Sequence, residues 1–117
     1  MSDFGSPEHT LRAWLANDVP VYEEVCRIAA KEVRHDVRVR AVKRLAAEVL
    51  YGTSGTATYR HLHRKAYGKD HRLSWTDVLG VLDGVRDAMT RAEFDSVDWD
   101  ELTEDVMDVT DAGRSAQ

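Results

Sequence analysis

The residues of this chain that could do chemistry are sorted by charge along the sequence. Arg27 to Arg72 holds twelve Lys/Arg against four Asp/Glu, with four of the five histidines. From Leu73 onward three basic residues stand against twelve acidic ones. Arg27, Lys31, Arg34 and Arg38 fall at i, i+4, i+7 and i+11, one straight stripe if a helix runs on past His35. Arg40, Lys43 and Arg44 extend it, and Arg60, Arg64, Lys65 and Lys69 form a second cluster. A guanidinium forks two donors onto phosphate oxygens, so such a face suits a polyanion, and Tyr59 and Tyr67 would add rings for base stacking. The competing reading is that exposed helix faces are ordinarily charged and that the acidic end of the same chain neutralises this one.

The acids read in two ways as well. Asp100, Glu101, Glu104, Asp105 and Asp108 make a row of carboxylates on one helix, able to imitate a phosphate backbone toward a basic partner. The plainer account makes Asp98 to Glu101 first-turn residues at the positive end of a helix and the others a solvated face. Asp95, Asp98 and Asp100 are not a calcium loop, because the turn glycine and the bidentate glutamate are missing.

His61 and His63, with Asp70 and His71 downstream, are metal-ligand types, but i and i+2 diverge on a helix, so no metal site is expected and these histidines read as solvent-exposed. Cys26 falls on an apolar helix face with no neighbouring base to activate it and reads as a buried structural residue. Gly52-Thr-Ser-Gly-Thr lacks the Lys-Ser/Thr of a phosphate-binding loop and reads as a turn. No carboxylate pair, nucleophilic triad or cofactor fingerprint stands out. The expectation is a protein that is not an enzyme and carries no cofactor.

Helices must position these groups. Ser6-Pro7-Glu8 caps and opens a first helix with Leu11, Trp14 and Leu15 on one face. Asp18 is placed to cap a second, with Tyr22, Cys26, Ala29 and Val33 inward and Val25 beside them. Asp36 is placed to cap a third, buried through Val42, Leu45, Ala46 and Val49 and stopped by Gly52. Gly52 to Thr58 reads as a loop, followed by a short helix through Tyr59, Leu62, Ala66 and Tyr67 that ends at Gly68; an extended segment is the alternative over 56–67. Ser74-Trp-Thr-Asp77 resembles a capping box for a helix to about Met89, with Trp75, Val78, Leu82 and Val85 along its face. Asp98-Trp-Asp-Glu101 opens the last, with Trp99, Leu102, Val106 and Val109 inward. The fold expected is all-α, a single compact domain of five or six short helices over 1–111, with 112–117 a disordered tail.

At 117 residues, 43% hydrophobic and 32% charged, the chain is long enough for one modest core. No apolar run approaches the roughly 20 residues of a membrane span, the N-terminus has no signal-peptide pattern, and a single cysteine fits a reducing compartment. A cytoplasmic location without membrane contact is expected.

Trp14-Leu-Ala-Asn17-Asp18, with Tyr22 four residues on, and Asp95-Ser-Val-Asp98-Trp99-Asp-Glu-Leu102 resemble two motifs of small uncharacterised proteins encoded by phages and other mobile elements. The resemblance covers about 14–22 and 94–106, with departures at Glu8-His9, where Thr-Trp is common, and at Val19-Pro20, where Glu-Gly is usual. It implies a genomic setting and no mechanism. Physically, Asn17 and Asp18 read as caps, and Trp14, Tyr22 and Trp99 as core anchors.

The functional expectation is therefore a non-enzymatic interaction protein of a phage or mobile element, inhibiting a host protein such as a defence nuclease through its charged surfaces. Nucleic-acid binding through Arg34, Arg38, Arg40, Lys43, Arg44, Arg60, Arg64 and Lys65 is the first alternative, and a homodimer pairing basic to acidic faces the second. The question left to the fold is whether the acidic end covers the basic middle, with Arg34 to Arg44 the strip expected to face a partner.

Overall fold

The computed structural model describes residues 6–68 and 75–115, with side chains described over 6–68 and 79–108. Seven helices and no strand occur among the described residues. The architecture is all-α, and no described helix is long and apolar enough to cross a membrane.

Helix α1 (Pro7–Asn17) starts as its sequence demands. Ser6 accepts the His9 N–H at 3.1 Å, Pro7 takes the first turn, and Leu11, Trp14 and Leu15 are buried. Helix α2 (Val19–Lys31) buries Pro20, Val21, Val25 and Ala29. Its inward face is therefore rotated from the expected one. Tyr22 and Cys26 are only half-buried, and Val33, beyond the helix end, is 88% exposed. Asp18 occupies the N-cap position, but its side chain makes no cap hydrogen bond.

Helix α3 (His35–Tyr51) begins one residue before the predicted cap. Arg34 holds the N-cap position without a side-chain bond, and Asp36 sits in the first turn, where the helix dipole favours an acid. Val42, Ala46, Val49 and Leu50 are buried and Leu45 half-buried. The expected 52–58 loop contracts to a tight turn, because α4 (Gly55–Tyr67) already starts at Gly55. The 56–67 segment is thus helical. Gly68 ends it with a φ of +89°, the conformation that only glycine adopts without strain.

Helix α5 (Trp75–Asp87) and the turn after it bury Leu82, Val85 and Met89, while Ser74 and the side chains of Trp75 and Val78 lie outside the described residues. The helix beyond the expected six is α6 (Arg91–Ser96), which puts Phe94 into the core. A reciprocal capping box starts it: Thr90 Oγ1 accepts the Glu93 N–H at 3.1 Å, and Glu93 Oε1 accepts the Thr90 N–H at 2.9 Å. Helix α7 (Trp99–Ser115) buries Trp99, Leu102, Thr103, Val106 and Met107. Its backbone enters the 112–117 segment expected as a tail; the Val109 side chain and the last two residues lie outside the described ones.

These stripes meet in one cluster. α2 packs on α1, α3 and α4, and α7 lies against α1, α2 and α3. Three rings tie α6 into the core: Phe94 meets Tyr51 edge-on at 5.1 Å and Trp99 at 4.9 Å between centroids, and the Trp99 indole N–H donates to the Phe94 carbonyl at 3.0 Å. The Arg91 guanidinium stands 4.7 Å over the Tyr51 ring.

Candidate interaction groove

The α2–α3 corner decides what the basic segment can do. α2 stops at Lys31 and Glu32 caps it, so Arg27, Lys31, Arg34 and Arg38 do not form one stripe. Arg38 turns inward instead. Its Nε donates to the Glu32 carbonyl at 2.6 Å and its Nη2 to the Ala29 carbonyl at 2.7 Å, satisfying acceptors that the end of α2 leaves open. Arg34 binds the Asp36 carboxylate through Nε and Nη2 at 3.1 and 3.0 Å, and Arg40 reaches the same carboxylate at 3.4 Å. Lys43 lies 3.9 Å from Asp95. Among the described residues Arg44 makes no ion pair.

The acidic end covers one flank of α3. Asp100 pairs with His35 at 3.0 Å, and Glu104 and Asp108 line a shallow depression with His35, Arg38 and Met107. Asp105 is held by Arg12 at 3.2 Å, Asp98 caps α7 by accepting the Glu101 N–H at 3.1 Å, and Glu101 itself is exposed. The other flank stays open.

On that open flank lies a groove of about 580 Å³. Glu24, Ile28 and Glu32 line it from α2 and its cap at steps of four residues. Val37, Ala41 and Leu45 do so from α3 at the same step, bordered by Arg40, Arg44 and Glu48. The result is an apolar floor of half-buried side chains between an acidic wall and a predominantly basic one. Glu24 is also held by Arg27 at 2.6 Å, and Glu48 accepts the Thr58 hydroxyl at 3.5 Å.

Of the predicted partner-facing residues, the groove gathers Arg40 and Arg44 and none of the others. Arg60, Arg64 and Lys65 are exposed on α4, apart from it. Lys69, Asp70 and His71 lie outside the described residues. Tyr59 is excluded as a stacking ring, being 2% exposed, whereas Tyr67 is exposed. His63 is not solvent-exposed but buried, its ring 4.6 Å from Tyr59 and 5.7 Å from Tyr67, while His61 faces out. His35, Asp100 and Glu104 bring ligand-type atoms within 4.8 Å of one another, but all three are exposed and the first two already pair.

The family-like residues serve a different centre. The Trp14 indole N–H donates to Asp18 Oδ2 at 3.0 Å, and the Tyr59 hydroxyl donates to the same oxygen. Burial, and then the neighbouring Asp18 carboxylate, push the Tyr59 hydroxyl pKa well above its ordinary value. Tyr22 is half-buried, Asn17 is exposed at the end of α1, and Trp99 is a core anchor. The signal for this centre was the helical step linking Gly55, Tyr59 and Leu62, one buried face of α4.

No protein-family model matches the chain, and no curated protein or solved structure shows significant similarity to it.

Proposed function

We propose that this chain is a non-enzymatic interaction protein of a phage or mobile element that receives a segment of a host protein in its α2–α3 groove, a defence nuclease being the candidate class. The observation that supports this reading is the placement of Arg40 and Arg44 together with Glu24, Glu32 and Glu48 around one apolar floor. A phosphate backbone laid against the two arginines would meet three carboxylates, which repel it. A protein segment with an apolar stripe and charges of both signs satisfies both walls. The phage setting rests on the motif resemblance alone.

The test is capture from a host lysate by immobilised protein, comparing the native chain with Ala41→Trp, which fills the groove, and with Lys65→Glu on α4. A partner retained by the native chain and by Lys65→Glu but lost from Ala41→Trp is the expected result. Retention by all three, or no capture at low and moderate salt, overturns the reading.

Nucleic-acid binding keeps one specific support, the exposed Arg60, Arg64 and Lys65 on α4. It predicts DNA or RNA affinity with a steep salt slope that Lys65→Glu weakens and Ala41→Trp leaves intact. A homodimer joining basic to acidic faces predicts a light-scattering mass near twice 13.2 kDa.

A further inference from the structure

A second concavity, of about 570 Å³, lies between α1 and α5 and has a different chemistry. Its walls are apolar: Ala13 and Trp14 from α1, Val81 and Val85 from α5. Val81 is an exposed valine one residue before the buried Leu82, so the cleft keeps a hydrocarbon rim open to solvent. Asn17 and Asp18 stand at the C-terminal end of α1, and His9 at the other, about 13 Å away along the helix axis. A mostly apolar cleft of this size with a few polar groups at its ends has the dimensions of a small-molecule site.

Asp18 sets the ligand class. Its Oδ2 accepts from Trp14 and Tyr59, both neutral donors, and its side chain makes no bond to the opening amides of α2. Among the described residues no Lys, Arg or His lies within ion-pair distance of it, and the hydrogen bonds from Trp14 and Tyr59 both fall on Oδ2. With no cation beside it among the described residues, a half-buried carboxylate at the end of an apolar cleft next to an indole favours an ammonium over a neutral or anionic group. We infer that the α1–α5 cleft binds a small organic ammonium, its apolar body between Trp14, Val81 and Val85 and its N–H donors on Asp18 Oδ1. This site is independent of the α2–α3 groove and of the function proposed there.

The test is an NMR shift titration of the full chain with 2-phenylethylamine, 2-phenylethanol and 3-phenylpropionate, which share an aromatic body and differ in charge. The amine is expected to bind with a dissociation constant of about 1 mM, shifting amides around Ala13, Asp18 and Val81. The alcohol should bind about tenfold more weakly, and the carboxylate less again. Val81→Lys changes only the exposed rim and should weaken the amine by about tenfold or more. Asp18→Asn should abolish the preference for amine over alcohol. Tyr59→Phe, which loosens Asp18 without removing its charge, should keep that preference. Equal binding of amine and alcohol, shifts centred on Glu24 and Glu32, an unaltered Val81→Lys titration or no binding at all would each overturn the assignment.

Discussion

The Tyr59 hydroxyl donates a hydrogen bond to the Asp18 carboxylate, joining positions 41 residues apart in the sequence. With the Trp14 indole on the same oxygen, it ties α4 to the α1–α2 junction. A bond to a charged acceptor is worth about 1.5–3 kcal/mol net. Tyr59→Phe, which keeps the ring packing, should lower the unfolding free energy by about that amount in a urea titration near neutral pH. The same bond carries a pH signature. The folded Tyr59 pKa lies above the ordinary value of 10.0, raised first by burial and then by Asp18, so the folded state holds this proton where the unfolded chain releases it. Its contribution is whole below about pH 10 and is lost as pH rises beyond it. The gap between the native chain and Tyr59→Phe should therefore stay constant up to about pH 9 and narrow as pH rises past about 10.

Arg38 was expected on a partner-facing strip but holds two carbonyls at the end of α2. Arg38→Met should then cost about 1–3 kcal/mol of stability, because half-buried acceptors lose a charge-assisted donor. Arg38→Lys should recover only part of this, since an ammonium does not reproduce the planar fork. Capture of a partner by the groove should be unchanged by either substitution. Full stability with weakened partner binding would return Arg38 to the interaction surface.

Helix identity and most of the core were legible because the apolar residues recur at helical steps, as in Leu11, Trp14 and Leu15 or Trp99, Leu102 and Val106. The misreadings share one physical cause: side chains chosen by long-range contacts override local pattern. Asp18 has the right type and place for a cap, yet its carboxylate is drawn to Trp14 and to Tyr59, a partner no local window contains. Arg27 to Arg38 has helical spacing, but Arg38 closes α2 from beyond its end. Conversely, α6 was readable locally. Thr90-Arg-Ala-Glu93 is a capping-box sequence ahead of Phe94, and both of its hydrogen bonds form. Of the residues lining the groove, Arg40 and Arg44 stand out in the sequence as exposed basic candidates. The glutamates opposite them do not, because the angle between α2 and α3 brings them there.

Gly55 tests the α3–α4 turn. A Cβ at this position would stand 2.5 Å from the Val49 carbonyl oxygen and 2.7 Å from that of Glu48, both backbone atoms that have no rotamer in which to retreat. Helix propensity alone would make Gly55→Ala stabilising by about 1 kcal/mol, as alanine is the better helix former. The close approach reverses the sign. A net loss of about 1–3 kcal/mol in denaturant melts is expected, and a gain would show that the turn opens freely.

Thr103 offers the opposite case, a buried residue whose replacement should help. It is fully buried on α7 beside Leu102, Val106 and Met107, and among the described residues its Oγ1 has no hydrogen-bond partner. A helical threonine can donate to the carbonyl four residues back, but no such bond forms here. Burying a hydroxyl without a partner costs about 1–3 kcal/mol. Valine has nearly the same shape and a similar helix propensity, so Thr103→Val removes that cost without opening a cavity. A gain of about 1 kcal/mol is expected, seen as a rise of about 3–5 °C in Tm. Thr103→Ala should gain less than Thr103→Val, because it removes the same hydroxyl but leaves the space of the lost methyl unfilled. A lower Tm for Thr103→Val would mean that the hydroxyl binds an internal water, and the polar atom would then belong to the core by design of its packing.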